Sequence, residues 1–165
     1  MATLTSVLHP DLGFHPTTTT TLQIPADFEQ CTVHLVYKLP PLVFVDKFEL
    51  ANHHESYSFD FWGTSNLEYP VFAVEQSDSI LLVNVKQGAD VSVPLHLRYG
   101  KPGDGFDETR LSWPAGFLAC PVSGESACLV VAIRLSYVAQ SRVRPPQTCQ
   151  SRSRSSSRSQ SLSFQ

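Results

Sequence analysis

The chain has 165 residues, 42% of them hydrophobic and 16% charged, with twelve prolines and a formal charge of -3. That length and apolar content suffice for one domain with its own core, without metals or dense disulfides, and the prolines work against long helices. Five basic residues (Arg142, Arg144, Arg152, Arg154, Arg158) and no acidic ones follow Gln140, so the first 140 residues carry seven basic against fifteen acidic groups. An acidic body excludes a nucleic-acid-binding face there, because phosphate contacts need clustered Lys and Arg.

Residues 1–16 hold no Lys or Arg and are interrupted by Pro10, Asp11 and Pro16, so no secretory leader is expected. Thr17 to Ile24 is β-branched up to Pro25 and predicts a first strand. In Thr32 to Tyr37, Val33, Leu35 and Tyr37 alternate with Thr32, His34 and Val36, and a period of two puts the first set on a core face. Pro40 and Pro41 stop that strand, and Leu42 to Val45 forms a short run ending in Asp46. Residues 46–68 predict an irregular connection with one strand at Tyr57 to Trp62 and a turn over Gly63 to Asn66. Tyr69 to Glu75 and Ser79 to Val85 read as neighbouring strands, followed by a turn at Gly88-Ala89-Asp90.

Val91 to Tyr99 is the cleanest half-buried strand, with Val91, Val93, Leu95, Leu97 and Tyr99 against Ser92, Pro94, His96 and Arg98. Pro94 cannot donate to a ladder, which predicts an edge strand or a bulge. Gly100 to Gly105 follows as a loop, Trp113 to Ala119 as a short apolar segment and Leu129 to Val138 as a final strand. Short strands with frequent turns predict an all-β fold, an antiparallel β-sandwich-like domain over residues 1–140. From Ser141 the Arg, Ser, Gln and Pro content predicts a disordered tail over 141–165. That tail reads as a phosphorylation-regulated interaction segment, a polybasic contact or a plain unstructured terminus. The longest apolar run, Ala127 to Ile133, stops at Arg134, far short of the ~20 residues that cross a bilayer, so the chain is expected to be soluble.

Chemistry-bearing constellations are sparse. His53-His54-Glu55 lacks a third ligand at a telling spacing, and no Ser or Cys stands in a nucleophile motif such as GxSxG. Asp46, Glu49, Asp60 and Glu68 would serve glycoside chemistry only by converging in space. Gly100 to Gly105 contains Pro102 and Asp104 and does not resemble a phosphate cradle. No catalytic residue, metal or cofactor is expected, and no small-molecule substrate. The cysteines at 31, 120, 128 and 149 match no CxxC pattern. Cys120 and Cys128 can close a small disulfide loop across Pro121, Gly124 and Ser126; free or buried thiols are the other reading.

Three ordered stretches resemble the PIG-X family, which includes its yeast counterpart. They are Leu8-His9-Pro10; the run from Cys31 through Tyr37-Lys-Leu-Pro-Pro, Phe44-Val-Asp46 and Phe48-Glu-Leu50; and Val93-Pro-Leu-His-Leu-Arg-Tyr99 followed by Pro102. The resemblance covers roughly residues 8–138. It implies a non-catalytic subunit that stabilises the polytopic catalytic subunit of GPI mannosyltransferase I, which adds the first mannose in GPI-anchor biosynthesis. It also implies an endoplasmic reticulum membrane protein with this domain in the lumen and a spanning segment after it, where this chain has its Arg/Ser-rich tail. Tyr37, Pro40, Phe44, Asp46, Pro94, His96, Arg98 and Tyr99 then carry the signature, either as partner-binding anchors or as builders of the fold, with an Asp46–Arg98 ion pair as one way to build it. The alternative is a soluble β-sandwich module binding carbohydrate or peptide, suggested by Trp62, Trp113 and ten phenylalanines.

Overall fold

Period-two patterning dictates the architecture. The structure, a computed structural model, describes residues 2–64, 66–86, 90–100, 107–121, 128–135 and 160–164. In chain order its strands are β1 (Thr3–His9), β2 (Thr17–Gln23), β3 (Thr32–Leu39), β4 (Val43–Phe44), β5 (Tyr57–Trp62), β6 (Ser79–Val85), β7 (Asp90–Pro94), β8 (His96–Leu97), β9 (Asp107–Leu111), β10 (Ala115–Pro121), β11 (Cys128–Ala132), β12 (Arg134–Leu135) and β13 (Gln160–Phe164), with one short helix, α1 (Lys47–Ala51). One sheet has the order β12-β1-β2-β7 and the other β11-β10-β3-β6-β5, and β4–β8 and β9–β13 form separate ribbons. Every pairing is antiparallel except β1 with β12. The all-β antiparallel sandwich that the strand pattern predicts is therefore the fold.

Several local expectations are corrected. Tyr69 to Glu75 is not a strand: Pro70 precedes a 3-10 turn over Val71–Ala73. The alternating run from Val91 to Tyr99 is not continuous either. β7 ends at Pro94, which lacks a ladder donor, and the chain leaves the sheet so that β8 pairs with β4 instead. β7 is an edge strand, as Pro94 requires. The final predicted strand breaks at Ile133, whose amide donates to Gly116 O at 2.9 Å, so the chain passes from one sheet to the other. β1 escapes the pattern because Ser6 interrupts its inward set of Leu4 and Leu8.

Asp46 accepts a hydrogen bond from the Phe48 amide at 2.9 Å, a side-chain N-cap that turns part of the expected irregular segment into α1. The loop over residues 101–105, the turn residues 88 and 89, and residues 136–138 of the last predicted strand lie outside the described residues, as do residues 141–159 of the tail. Residues 160–164 form β13, in which Leu162 and Phe164 alternate with Ser161 and Ser163. Among the described residues no helix is long and apolar enough to cross a membrane.

The core lies between the two sheets. Leu35, Tyr37 and Leu39 of β3 and Leu81 and Val83 of β6 face Leu4, Leu22, Val91 and Val93 of the opposite sheet, all buried. Each such aliphatic side chain contributes about 1.5–3 kcal/mol by leaving water. Gly116 allows the sheets to approach, since a Cβ there would stand 2.9 Å from Leu4 Cδ1. Two tyrosines tie the layers: Tyr37 OH meets Thr20 Oγ1 at 3.3 Å, and Tyr57 OH donates to Ser92 O at 3.2 Å. Thr20 Oγ1 also meets Ser6 Oγ at 2.9 Å, so the buried Thr20 hydroxyl links Tyr37 to the half-buried Ser6. Burial pushes both tyrosine hydroxyls well above the usual phenol range, so each stays protonated and able to donate.

Thr18 occupies the same inward face as Thr20, but its Oγ1 is buried without a partner among the described residues. The two threonines therefore respond in opposite directions to the same substitution. Thr18→Val removes an unsatisfied hydroxyl and is expected to stabilise by about 1 kcal/mol, whereas Thr20→Val strands the Tyr37 hydroxyl and costs about 1–3 kcal/mol. Thermal melts of the two variants check this, and equal shifts would contradict it.

Candidate functional site

The β4–β8 ribbon gathers part of the sequence signature. Its register sets Phe44 opposite His96 and Val43 opposite Leu97. The β8 segment is held from both sides: the Leu95 and Leu97 amides donate to Pro16 O and Phe14 O, and the Arg98 amide donates to Leu42 O at 2.8 Å. Pro40 O accepts from the Val43 amide at 2.8 Å and forms the turn that launches β4. Phe44 then lies between two signature side chains, its ring stacked on His96 at 5.2 Å and the Arg98 guanidinium 4.5 Å above it.

Arg98 is 3% exposed. Its guanidinium donates to the carbonyls of Asn66, Tyr69 and Thr64, and among the described residues no carboxylate pairs with it. Burial lowers its pKa from the usual guanidinium value. An ionised group in that position is tolerated because three carbonyl dipoles and the negative face of an aromatic ring surround it. The expected Asp46–Arg98 ion pair does not form, because the Asp46 carboxylate is engaged at the start of α1.

His96 Nε2 lies 2.6 Å from Glu49 Oε2 and its Nδ1 lies 2.9 Å from His15 Nδ1. A His96 tautomer that donates through Nε2 to the Glu49 carboxylate leaves its Nδ1 to accept from His15. Sequence reasoning overlooks His15, since nothing in a separation of 81 residues marks its meeting with His96. The His53 ring stacks on Tyr57 at 5.7 Å, and His54 Nδ1 lies 3.2 Å from Ala51 O. Among the described residues no three His, Cys, Asp or Glu side chains gather as a metal site.

The remaining signature residues separate. Tyr37 is in the core and Pro94 closes β7, whereas Tyr99 is 71% exposed with its ring 5.3 Å from Phe14. Tyr99 O accepts from the Val71 amide at 2.9 Å, and Arg98 holds Tyr69 O at 3.0 Å. The segments carrying Tyr69, Phe72 and Tyr99 are thus tied together, and all three side chains are exposed. Beside Arg98 a pocket of about 20 Å³, lined in part by Val43, Gly63, Thr64 and Ser79, has room for one water and none for a sugar. Gly63 sits at φ +147°, where a Cβ would run into Ser79. Trp62 is exposed on β5 while Trp113 packs against the core, so the two tryptophans do not share a platform.

The disulfide is Cys31–Cys120, and the expected Cys120–Cys128 loop is corrected. The β3–β10 register sets Thr32 opposite Ala119, which carries Cys31 to Cys120 with a Cα separation of 4.2 Å. In β11, Leu129 rather than Cys128 stands opposite Cys120. Cys149 lies outside the described residues.

A family profile described as PIG-X / PBN1 matches residues 11–159. Protein pbn1 of Schizosaccharomyces pombe is 29% identical over 129 residues, covering 68% of this chain and 37% of that protein. Protein PBN1 of Debaryomyces hansenii is 30% identical over 116 residues, covering 67% and 25% respectively, and that of Yarrowia lipolytica 27% identical over 145 residues, covering 69% and 28%. The chain therefore spans between a quarter and two fifths of the length of these relatives. No solved structure matches it.

Arg98→Lys tests the role of the planar cation, because an ammonium cannot reach three carbonyls while lying flat on Phe44. The variant is expected to lose about 2–3 kcal/mol. Amide hydrogen exchange at residues 66–73 is expected to accelerate about tenfold or more while β3 and β6 keep their protection. Unchanged exchange at 66–73 would contradict the role.

Proposed function

The chain belongs to the PIG-X / PBN1 family, and from that premise we propose that it is the non-catalytic subunit that stabilises the polytopic catalytic subunit of GPI mannosyltransferase I, at the endoplasmic reticulum membrane with this domain in the lumen. The observation that carries this reading is how the signature residues are used. Phe44, Asp46, His96 and Arg98 are engaged in bonds that shape one end of the sandwich, and Tyr99 stands exposed on the segment they fix. An immobilised chain end presenting Tyr69, Phe72 and Tyr99 suits holding a neighbour, since rigid aromatic anchors lose little entropy on docking.

Two further observations support the reading. The Cys31–Cys120 disulfide suits an oxidising compartment such as the lumen. Among the described residues the direct partners of the Arg98 guanidinium are backbone carbonyls and an aromatic ring, which suits a structural use of this cation. Under this reading transfer of mannose belongs to the partner. Residues 1–140 act as the body of the lumenal domain, to which β13 from the following segment adds its pairing with β9.

Depleting the chain from cells is expected to lower both the catalytic subunit and GPI-anchored proteins at the cell surface several-fold, and wild-type chain is expected to restore both. Tyr99→Ala, which removes an exposed ring and none of the core, is expected to restore them less well at equal abundance of the chain. Flow cytometry and immunoblotting supply the readout, and depletion that leaves both levels unchanged refutes the assignment.

A further inference from the structure

Three titratable side chains from three separate elements stand in a row beside Phe44. His15 comes from the segment between β1 and β2, His96 from β8 and Glu49 from α1. His15 Nδ1 lies 2.9 Å from His96 Nδ1, with the two rings edge to face at 4.9 Å, and His96 Nε2 lies 2.6 Å from Glu49 Oε2. His15 is exposed and the Glu49 side chain is open to water, whereas that of His96 is 19% exposed. Protons therefore reach the row from either end.

The contact between the two Nδ1 atoms requires one proton between them. A neutral pair supplies it, and so does a pair that has gained one charge, since one ring then donates and the other accepts. Two imidazolium rings would set one N–H against another at 2.9 Å, and the contact could not persist. The Glu49 carboxylate favours the first charge, while the Arg98 guanidinium on the same Phe44 ring opposes the second. Among the described residues His15, Glu49 and Arg98 are the titratable or charged groups facing His96, and Tyr57 of β5 lies within electrostatic reach of Glu49. The open form thus binds more protons than the closed one, so a fall in pH favours opening. Imidazoles as a class change charge between about pH 5 and 8.

The row ends beside the exposed aromatics. Phe14 precedes His15 in the chain, and its ring lies 5.3 Å from that of Tyr99, three residues after His96. The backbone bonds from Leu95 to Pro16 O and from Leu97 to Phe14 O hold this segment on β8 without titrating. The His15–His96 bond adds a side-chain tie that does titrate. We propose that His15, His96 and Glu49 form a proton-operated latch, closed at neutral pH and opened when both imidazoles are charged, that sets how firmly the Phe14 and Tyr99 rings are held together. The latch is a property of the chain alone and goes beyond the functional reading.

Isotope-labelled full-length chain is followed by NMR from about pH 7.5 to about pH 5. At the upper end a scalar coupling between the His15 and His96 Nδ1 atoms and cross-peaks between the Phe14 and Tyr99 rings are expected. On acidification the coupling is expected to vanish and the cross-peaks to weaken about threefold, reversibly, while the amides of β3 and β6 keep their protection. His15→Asn presents either a donor or an acceptor close to where Nδ1 lies, and is expected to hold Phe14 against Tyr99 at both ends of the range. Glu49→Gln is expected to move proton uptake by His96 to lower pH, because the anion that favours it is gone. A wild-type coupling that is missing at the upper end or survives at the lower end overturns the latch, as does a ring contact that ignores pH. Equal loss of that contact in His15→Asn, unshifted uptake in Glu49→Gln, or loss that coincides with deprotection of β3 and β6 overturns it as well.

Discussion

The guanidinium of Arg98 joins the β4–β8 ribbon to a segment of the chain with which it shares no strand ladder. It leaves β8, lies on the ring of Phe44 from β4, and holds the carbonyls of Thr64, Asn66 and Tyr69. A buried cation deprived of these partners would cost several kcal/mol, so the segment over residues 64–69 is bound to the ribbon by more than its own apolar contacts. Loss of that segment would in turn release Val71 from Tyr99 O and Gly63 from its close approach to Ser79. The orientation of the exposed aromatics therefore depends on an interaction that is itself out of solvent.

The rest of the body is braced by longer-range ties. Cys31–Cys120 joins β10 to the start of β3 across 89 residues of sequence, and closing so long a loop restricts the unfolded chain by about 4.5 kcal/mol in the entropic view of disulfides. Tyr37 and Tyr57 connect the sheets by hydrogen bonds that burial keeps in the donor form. The passage from β11 through Ile133 to β12 closes one side of the sandwich, and on the other side Pro94 ends the β7 edge. β5 remains an edge strand with Trp62 and Asp60 exposed.

Much of this is legible in the sequence wherever one face of a strand is apolar and the other polar. Tyr57 to Trp62 and Ser79 to Val85 fall where the residues place them, and the missing donor of Pro94 correctly marks an edge. Illegible features are those set by partners distant in sequence. The jump from β7 to β8 depends on pairing with β4, α1 depends on the capping carboxylate of Asp46, and the disulfide depends on the β3–β10 register. Arg98 and His96 stand out as residue types in an alternating run, but their partners are a set of carbonyls, His15 and Glu49, which spacing does not reveal.

Under the proposed function the chain acts on the amount of active enzyme and leaves the reaction to its partner. A scaffold and a hidden catalytic contributor differ in one ratio, mannosyl transfer per molecule of catalytic subunit. In membranes with graded amounts of this chain, a scaffold leaves that ratio constant while the quantity of the subunit falls with the chain. A ratio that falls while the quantity of the subunit holds steady would place a group of this chain in the chemistry, and would contradict its role as a holder.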